Sequence, residues 1–211
     1  MAVAVARNVE YNSMARITRP KCRVCRRAGE KLFLKGPKCF TSKCPIVTRN
    51  YPPGMHGPTK GPAKQLKMTD FGKQMREKQK AKAMYFILEK QFRAYVDRAK
   101  EEKGDTSVIL LNLLETRLDN AVYRMGFTPS RISARQLVGH GLIKVNGKKI
   151  TIPSYQVKIG DVISFCATGS DKYKVLEESI RGRLKSYQLP SWVTINVDKL
   201  EGNVVSAVSE N

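Results

Sequence analysis

From residue 69 onward, apolar residues first recur at helical spacing and then alternate at strand spacing. Thr69 reads as the N-cap of a long helical region ending near Gly104, with Met75, Met84, Leu88, Phe92, Tyr95, Val96 and Ala99 on its apolar faces. A second helix, capped at Asp105 or Thr106, places Leu110, Leu111, Leu114, Leu118, Val122 and Met125 at core spacing. A short third helix follows, with Thr128 or Ser130 as N-cap, Pro129 tolerated in its first turn and Gly139 or Gly141 able to end it. Ala134, Leu137 and Val138 form its apolar side. The period then drops to two: Ile143 and Val145 alternate with Lys144, Asn146-Gly147 supplies a type I′ turn, and Ile150 and Ile152 alternate on the return. Gly160-Asp161 turns the chain into a last apolar strand, Val162 to Phe165. Leu176, Ile180 and Leu184 predict one more helix, Trp192 to Val197 reads as extended, and the small polar tail from Gly202 carries no assigned role. The pattern predicts an α+β fold, with a helical domain followed by a small helix-plus-antiparallel-hairpin domain.

Residues 15–65 break this pattern. They are rich in Lys, Arg, Pro and Gly and hold too few apolar side chains for a core of their own. Within them, Cys22, Cys25, Cys39 and Cys44 have the spacing of a four-thiolate shell, so an N-terminal metal-bound knuckle is expected, with zinc or an iron–sulfur cluster as its staple. A structural metal orders a segment that burial alone does not. Residues 48–64 contain four prolines and three glycines, which exclude helix and predict a basic strap in which Tyr51 and His56 can stack on or hydrogen-bond to bases. Cys166 stands apart, as a small buried hydrophobe. Cysteines in this pattern suit a reducing cytosol better than a disulfide framework.

Charge decides the class of partner. The 211 residues carry 39 Lys+Arg against 18 Asp+Glu, a formal net charge of +21, which calls for a polyanion. The first 104 residues hold 25 of the basic side chains and 8 of the acidic ones, so the N-terminal half is the more phosphate-seeking. A membrane surface would attract such a chain too, but no apolar run reaches the roughly 18 residues of a span and no basic amphipathic anchor is evident. In residues 117–158 eight basic side chains face a single acid, Asp119. Arg131 and Arg135, four residues apart and thus separated by roughly 40° around the helix, are expected to leave one face pointing away from the core. Lys144, Lys148 and Lys149 project beside them on the hairpin.

Four runs in this region, RLDNAVYRMGF (117–127), SRISARQLVGHG (130–141), IKVNG (143–147) and PSYQVKIGD (153–161), resemble the small RNA-binding domain named after ribosomal protein four of the small subunit. The same domain accompanies pseudouridine synthases, tyrosyl-tRNA synthetases, methyltransferases and a heat-shock RNA binder, so alone it implies binding to structured RNA. The flanks are more specific. The cysteine spacing, YPPGMHG (51–57), REKQKAKAMY (76–85), EKQFRAY (89–95) and LPSW (189–192) resemble the bacterial family of small-subunit ribosomal protein four in its cysteine-bearing form. The resemblance covers residues 14–202 and implies a primary binder of small-subunit ribosomal RNA, in the cytoplasmic bacterial ribosome, that nucleates assembly of the subunit body at a multi-helix junction. It further implies neighbours in ribosomal proteins three and five, a place beside the path by which messenger RNA enters, an influence on decoding accuracy and, as in some members, binding to its own messenger RNA.

The organisation expected is an extension at 1–13, the metal knuckle and strap at 14–68, the helical region at 69–116 and the RNA module at 117–166. A C-terminal helix and tail at 167–211 are expected to complete the first domain. The residues assigned to RNA are Arg16, Arg19, Lys21, Arg23, Arg26, Arg27, Arg49, Tyr51, His56 and Lys60 in the first part, then Arg76, Lys78, Lys80 and Lys82 on the cationic helix. In the module they are Arg117, Arg131, Arg135, Gln136, His140, Lys144, Asn146, Lys148 and Lys149. Three departures from the family stand out: the family-like start falls at Met14, Phe86 stands where many relatives have glycine, and the final acidic segment and apolar strand common in relatives are missing after Gly202. The rival readings are an RNA-modifying enzyme anchored by the module and a stress-type RNA-binding factor. For the enzyme there is no Gly-rich dinucleotide loop, no phosphate-binding loop and no nucleophile–base constellation.

Overall fold

A computed structural model describes residues 20–55, 57, 69–166 and 171–207. The extension at 1–13, Arg16, Arg19, His56 and residues 58–64 of the strap, with Lys60 among them, lie outside the described residues. The order of elements is α1 (Lys21–Ala28), α2 (Pro45–Thr48), α3 (Asp70–Tyr85), α4 (Glu89–Glu101), α5 (Thr106–Glu115), α6 (Leu118–Arg124), α7 (Arg131–Gly139), β1 (Ile143–Val145), β2 (Lys148–Lys149), β3 (Val162–Phe165), α8 (Asp171–Leu184), β4 (Val193–Asn196) and β5 (Glu201–Val204). Helices and an antiparallel sheet thus make a mixed fold of the expected class.

The helices start where their caps predict. The Thr69 hydroxyl accepts from Gly72 N, the Asp105 carboxylate from Ser107 N and the Ser130 hydroxyl from Ser133 N, each satisfying an otherwise orphaned amide of a first turn. The long helical region is two helices, broken at Phe86. There φ is +55°, the left-handed conformation of a C-cap, and Phe86 N donates to Ala83 O. Glycine adopts that φ without strain. Phe86 is instead held there by burial against the knuckle, where Leu32, Leu34, Ile46 and Ala83 share its cluster.

The sheet runs β2-β1-β3-β5-β4. Asn146 and Gly147 both have positive φ, as the type I′ turn requires, but the return strand is only two residues long and Ile152 faces solvent. The chain is diverted to cap α6: Leu118 N donates to Tyr155 O at 2.8 Å and Asp119 N to Pro153 O at 3.1 Å.

The C-terminal region does not complete the first domain. β5 pairs with β3 through Ile163 and Gly202 and lies inside the sheet, while α8 lays Ile180 and Leu184 into the module's core beside Leu118, Val122 and Phe127. The small residues of the tail allow this. Gly202 is buried against Met125, where any larger side chain would collide with its sulfur. Trp192, Val193, Leu200 and Val204 complete one core shared by residues 118–204. Cys166 is half-buried, with its amide bonded to Leu142 O.

The knuckle docks on the module at one tight point. Gly36, φ +69°, approaches so closely that an added Cβ would lie 2.5 Å from the carbonyl oxygen of Pro129, the residue before the α7 cap. Gly36→Ala is therefore expected to cost about 1–3 kcal/mol, from overpacking and from the left-handed φ. Hydrogen exchange should show residues 21–48 loosening first, while the 118–204 core keeps its protection.

Candidate nucleic-acid interface

The RNA module presents two chemically different surfaces, one turned inward and one turned to solvent. The inward one is an acid-centred cluster where α5 and α6 meet α7 and the helical region. Glu115, at the end of α5, is 4 % exposed and collects donors on both carboxylate oxygens. Arg124 engages it with a two-pronged fork, Nε to Oε2 and Nη2 to Oε1, each at 2.8 Å. Tyr85 Oη donates to Oε1 at 2.6 Å and Asn120 Nδ2 to Oε2 at 2.8 Å. Burial raises a carboxyl's pKa, but the Arg124 fork with the Tyr85 and Asn120 bonds outweighs it and holds Glu115 below its ordinary value. In the same site burial and the neighbouring Glu115 charge push the Tyr85 phenol up, so Tyr85 stays a donor.

Asp119 holds a second pair. Arg117 binds it through Nε at 3.1 Å and Nη2 at 2.8 Å, and its Nη1 donates to Tyr95 Oη at 2.7 Å. Arg117 is 1 % exposed, so it is an internal tie and not an RNA contact. Arg131 and Arg135 also differ from expectation. Arg131 Nε donates to Asn120 Oδ1 at 2.7 Å, and its guanidinium carbon stands 5.0 Å and 4.6 Å from the ring centroids of Tyr85 and Tyr123. Arg135 Nη1 reaches Asp119 Oδ2 at 3.3 Å. Their shared helix face leans toward the carboxylates, because a buried acid left without partners is costly.

The cationic helix is likewise partly neutralised. Lys78 and Lys82 both pair with Glu89 at the start of α4, Lys82 at 2.5 Å, and Lys80 pairs with Glu30 of the knuckle and with Glu77 at 2.6 Å. The Lys78 and Lys82 hydrogen bonds hold the exposed Glu89 carboxyl at about 2.

The outward surface is the far side of the module. Gln136 on α7 and His140 at its C-cap, with Lys148 and Lys149 on the hairpin, are exposed; Lys144 is half-buried between them and pairs in register with Lys149. The Lys149 stem leans over Gly141, where a Cβ would meet its Cε at 2.0 Å. Asn146 shapes this surface from within the turn: Nδ2 donates to Asp161 Oδ1 at 2.8 Å, and Oδ1 accepts from Val162 N at 2.9 Å.

In the N-terminal part, Arg23 and Arg27 are exposed on α1 and line a groove with the half-buried Arg76 of α3. Arg49 is exposed. Lys21 lies over the Phe86 ring, 4.8 Å from its centroid, and burial lowers its pKa. Arg26 stacks on Tyr51 at 4.5 Å and donates to its carbonyl at 2.9 Å, so the strap's tyrosine braces the knuckle. Cys22, Cys25, Cys39 and Cys44 all line one small cleft, beneath Leu34 and Ile46. Burial, with the other three thiols nearby, pushes the Cys25 thiol up. Among the described residues no group of three or more His, Cys, Asp or Glu side chains is gathered as a ligand set.

Reading the sequence alone missed Glu115, Asn120, Arg124, Tyr85, Tyr95 and Tyr123 as one site. The available signal was Glu115 itself, an acid two residues outside the arginine-rich window in which Asp119 stood alone.

A basic surface on a helix-plus-hairpin scaffold, with its arginines tied inside and its lysines outside, is that of an RNA-binding protein of modular build. Residues 16–115 match the ribosomal protein S4/S9 N-terminal domain, and residues 116–163 match the S4 domain. The chain is 49 % identical over 198 residues to small ribosomal subunit protein uS4A of Alkaliphilus metalliredigens, and 51 % identical over 198 residues to protein uS4 of Clostridium botulinum strain Eklund 17B. Both alignments span 93 % of this chain and 91 % of the relative. A Thermoanaerobacter protein of the same name, strain X514, is 51 % identical over 92 % of this chain and 89 % of its own. The chain belongs to the small ribosomal subunit protein uS4 family.

The Glu115 cluster predicts an acid-labile junction. Because the folded carboxyl is held below its ordinary value near 4.5, the stability it contributes is present above that pH and is lost as pH falls through the lower folded value. Glu115→Gln leaves Arg124 and Arg131 without their buried charge and should cost about 3–5 kcal/mol at neutral pH. Urea unfolding measured from pH 7 down to pH 3 should show this gap narrowing as the parent's carboxyl is protonated.

Proposed function

We propose that this chain is a non-enzymatic structural constituent of the small ribosomal subunit, in the cytoplasm of a bacterium, and binds the subunit's ribosomal RNA directly. The observation that carries the reading is the alignment, at about half identity over nine-tenths of the chain, with proteins that bear that name. The outward lysines of the hairpin, beside Gln136 and His140, supply a physical route: ammonium groups on a rigid turn neutralise phosphates, while a side-chain amide and an imidazole reach base edges or 2′-hydroxyls. Arg131 and Arg135 act one step back, fixing the angle between module and helical region.

The reading extends to early assembly of the subunit body at an RNA junction and to neighbours in ribosomal proteins three and five beside the incoming messenger RNA. It also includes an influence on decoding accuracy and binding to the chain's own messenger RNA. These rest on the resemblance of the sequence motifs to that family. A high-salt wash followed by sedimentation tests the first claim: a constituent stays stoichiometric with the small subunit, whereas an enzyme or a stress factor is lost.

Phosphate contacts by the hairpin have a measurable signature. Replacing Lys148 and Lys149 by Gln should weaken binding to ribosomal and unrelated RNA alike and lower the slope of log affinity against log salt by roughly 0.7–0.9 per lost contact. Filter binding across a salt series checks it. An unchanged slope would move the phosphate contacts elsewhere.

The same proposal includes one structural zinc ion, or alternatively an iron–sulfur cluster, held by Cys22, Cys25, Cys39 and Cys44. Four thiols lining one cleft, in a segment whose own buried large apolar side chains, among the described residues, are Leu32, Leu34 and Ile46, fit a soft metal that prefers thiolate ligands. When bound, the metal supplies a cross-link and no reaction chemistry. Elemental analysis of the purified protein should find about one zinc per chain, or the iron of one cluster. Cys25→Ser should lose the metal and loosen the knuckle while leaving the 118–204 core folded.

A further inference from the structure

We propose that Phe33 and Phe40 form a stacking platform for an unpaired nucleobase of RNA. The two rings are 5.0 Å apart between centroids and tilted by 32°. Phe40 is 74 % exposed and Phe33 40 %, so neither is held by the protein interior. The run from Leu32 to Leu34 shows how Phe33 comes to be outside. Leu32 and Leu34 are buried in the knuckle core, and the residue between them is turned outward with φ +50°, a left-handed conformation that bulky side chains avoid. That backbone costs on the order of 1–2 kcal/mol, and burial of the ring does not offset it.

The surroundings identify the occupant. Lys31, Lys35, Lys38 and Lys43 are all exposed in the short segment that carries the two rings, and residues 31–43 contain no acid. Among the described residues none of these four lysines is within ion-pairing distance of a carboxylate. An exposed aromatic pair on a segment whose exposed charges are all cationic matches a polyanion that carries flat π-systems, which is single-stranded RNA and not an apolar protein surface. Tyr51, the aromatic that the sequence singled out for this role, has a face taken by Arg26. The inference rests on the RNA-binding reading above and adds to it a site on the knuckle, remote from the hairpin.

The test uses the full chain with purified small-subunit ribosomal RNA and, as a polyanion without bases, heparin. Phe33→Leu with Phe40→Leu should weaken RNA binding roughly five- to a hundredfold, the range of one stacked base, with the salt slope unchanged and heparin binding intact. Separately, Phe40→Trp should bind RNA as the parent does and give a fluorescence that RNA quenches and heparin does not; the native Trp192 is only 4 % exposed. Unchanged RNA affinity with an unquenched Trp would overturn the proposal. So would an equal loss of heparin binding, which would point to damage of the fold or the charge. Intact RNA affinity combined with failure of the double variant to join the other subunit proteins would assign the rings to a protein contact and overturn it too. A parent chain that bound ribosomal RNA no better than heparin would sink the RNA-binding reading itself, a result distinct from the others.

Discussion

Two buried carboxylates hold this molecule's architecture together. A chain with a net charge of +21 repels itself, and the repulsion is greatest where arginines crowd the junction of helices. Glu115 and Asp119 turn that liability into cohesion. Between them they bind Arg117, Arg124, Arg131 and Arg135, which come from the start of α6, the end of α6 and α7. Tyr85 and Tyr95 carry the network across to α3 and α4. A buried ion pair is weak evidence for net stability, but removing one member is costly, so the cluster acts chiefly to specify one geometry.

The same logic sorts the remaining charge. Glu89 and Glu30 reach the lysines of α3 and hold them against α4 and the knuckle. Surface pairs of this kind are worth little individually and yield to salt. They can be exchanged for phosphate at small cost, whereas the arginines of the inner cluster cannot. The molecule therefore carries cations of two grades: those spent on the fold, and those such as Lys148 and Lys149 on the hairpin and Lys31, Lys35, Lys38 and Lys43 of the knuckle, which have no carboxylate partner among the described residues.

Much of the fold was legible from local pattern. The three capped helices begin at Thr69, Asp105 and Ser130, because an oxygen side chain before an apolar-periodic run satisfies first-turn amides whatever lies beyond. The Asn146-Gly147 turn was equally plain, since both residues accept positive φ. Phe86 is a departure from glycine in the sequence, and nothing local in it marks a left-handed cap, because burial of the ring against the knuckle is what holds that conformation.

What the sequence by itself determined was the class: a basic α+β chain with three capped helix starts, a hairpin, a cysteine knuckle and the motifs of one ribosomal family. Only the tertiary structure decided which cations face outward. Arg131 and Arg135 share a helix face by arithmetic, but whether that face meets solvent or carboxylate depends on Glu115 and Asp119, each sixteen residues before its arginine in sequence. The tail after Gly202 was likewise uninformative locally. Its smallness is what fits it against Met125 in the sheet, and a close approach between distant segments has no periodicity to read. Propensity and capping act within a turn or two of the chain, whereas charge pairing and packing act through space.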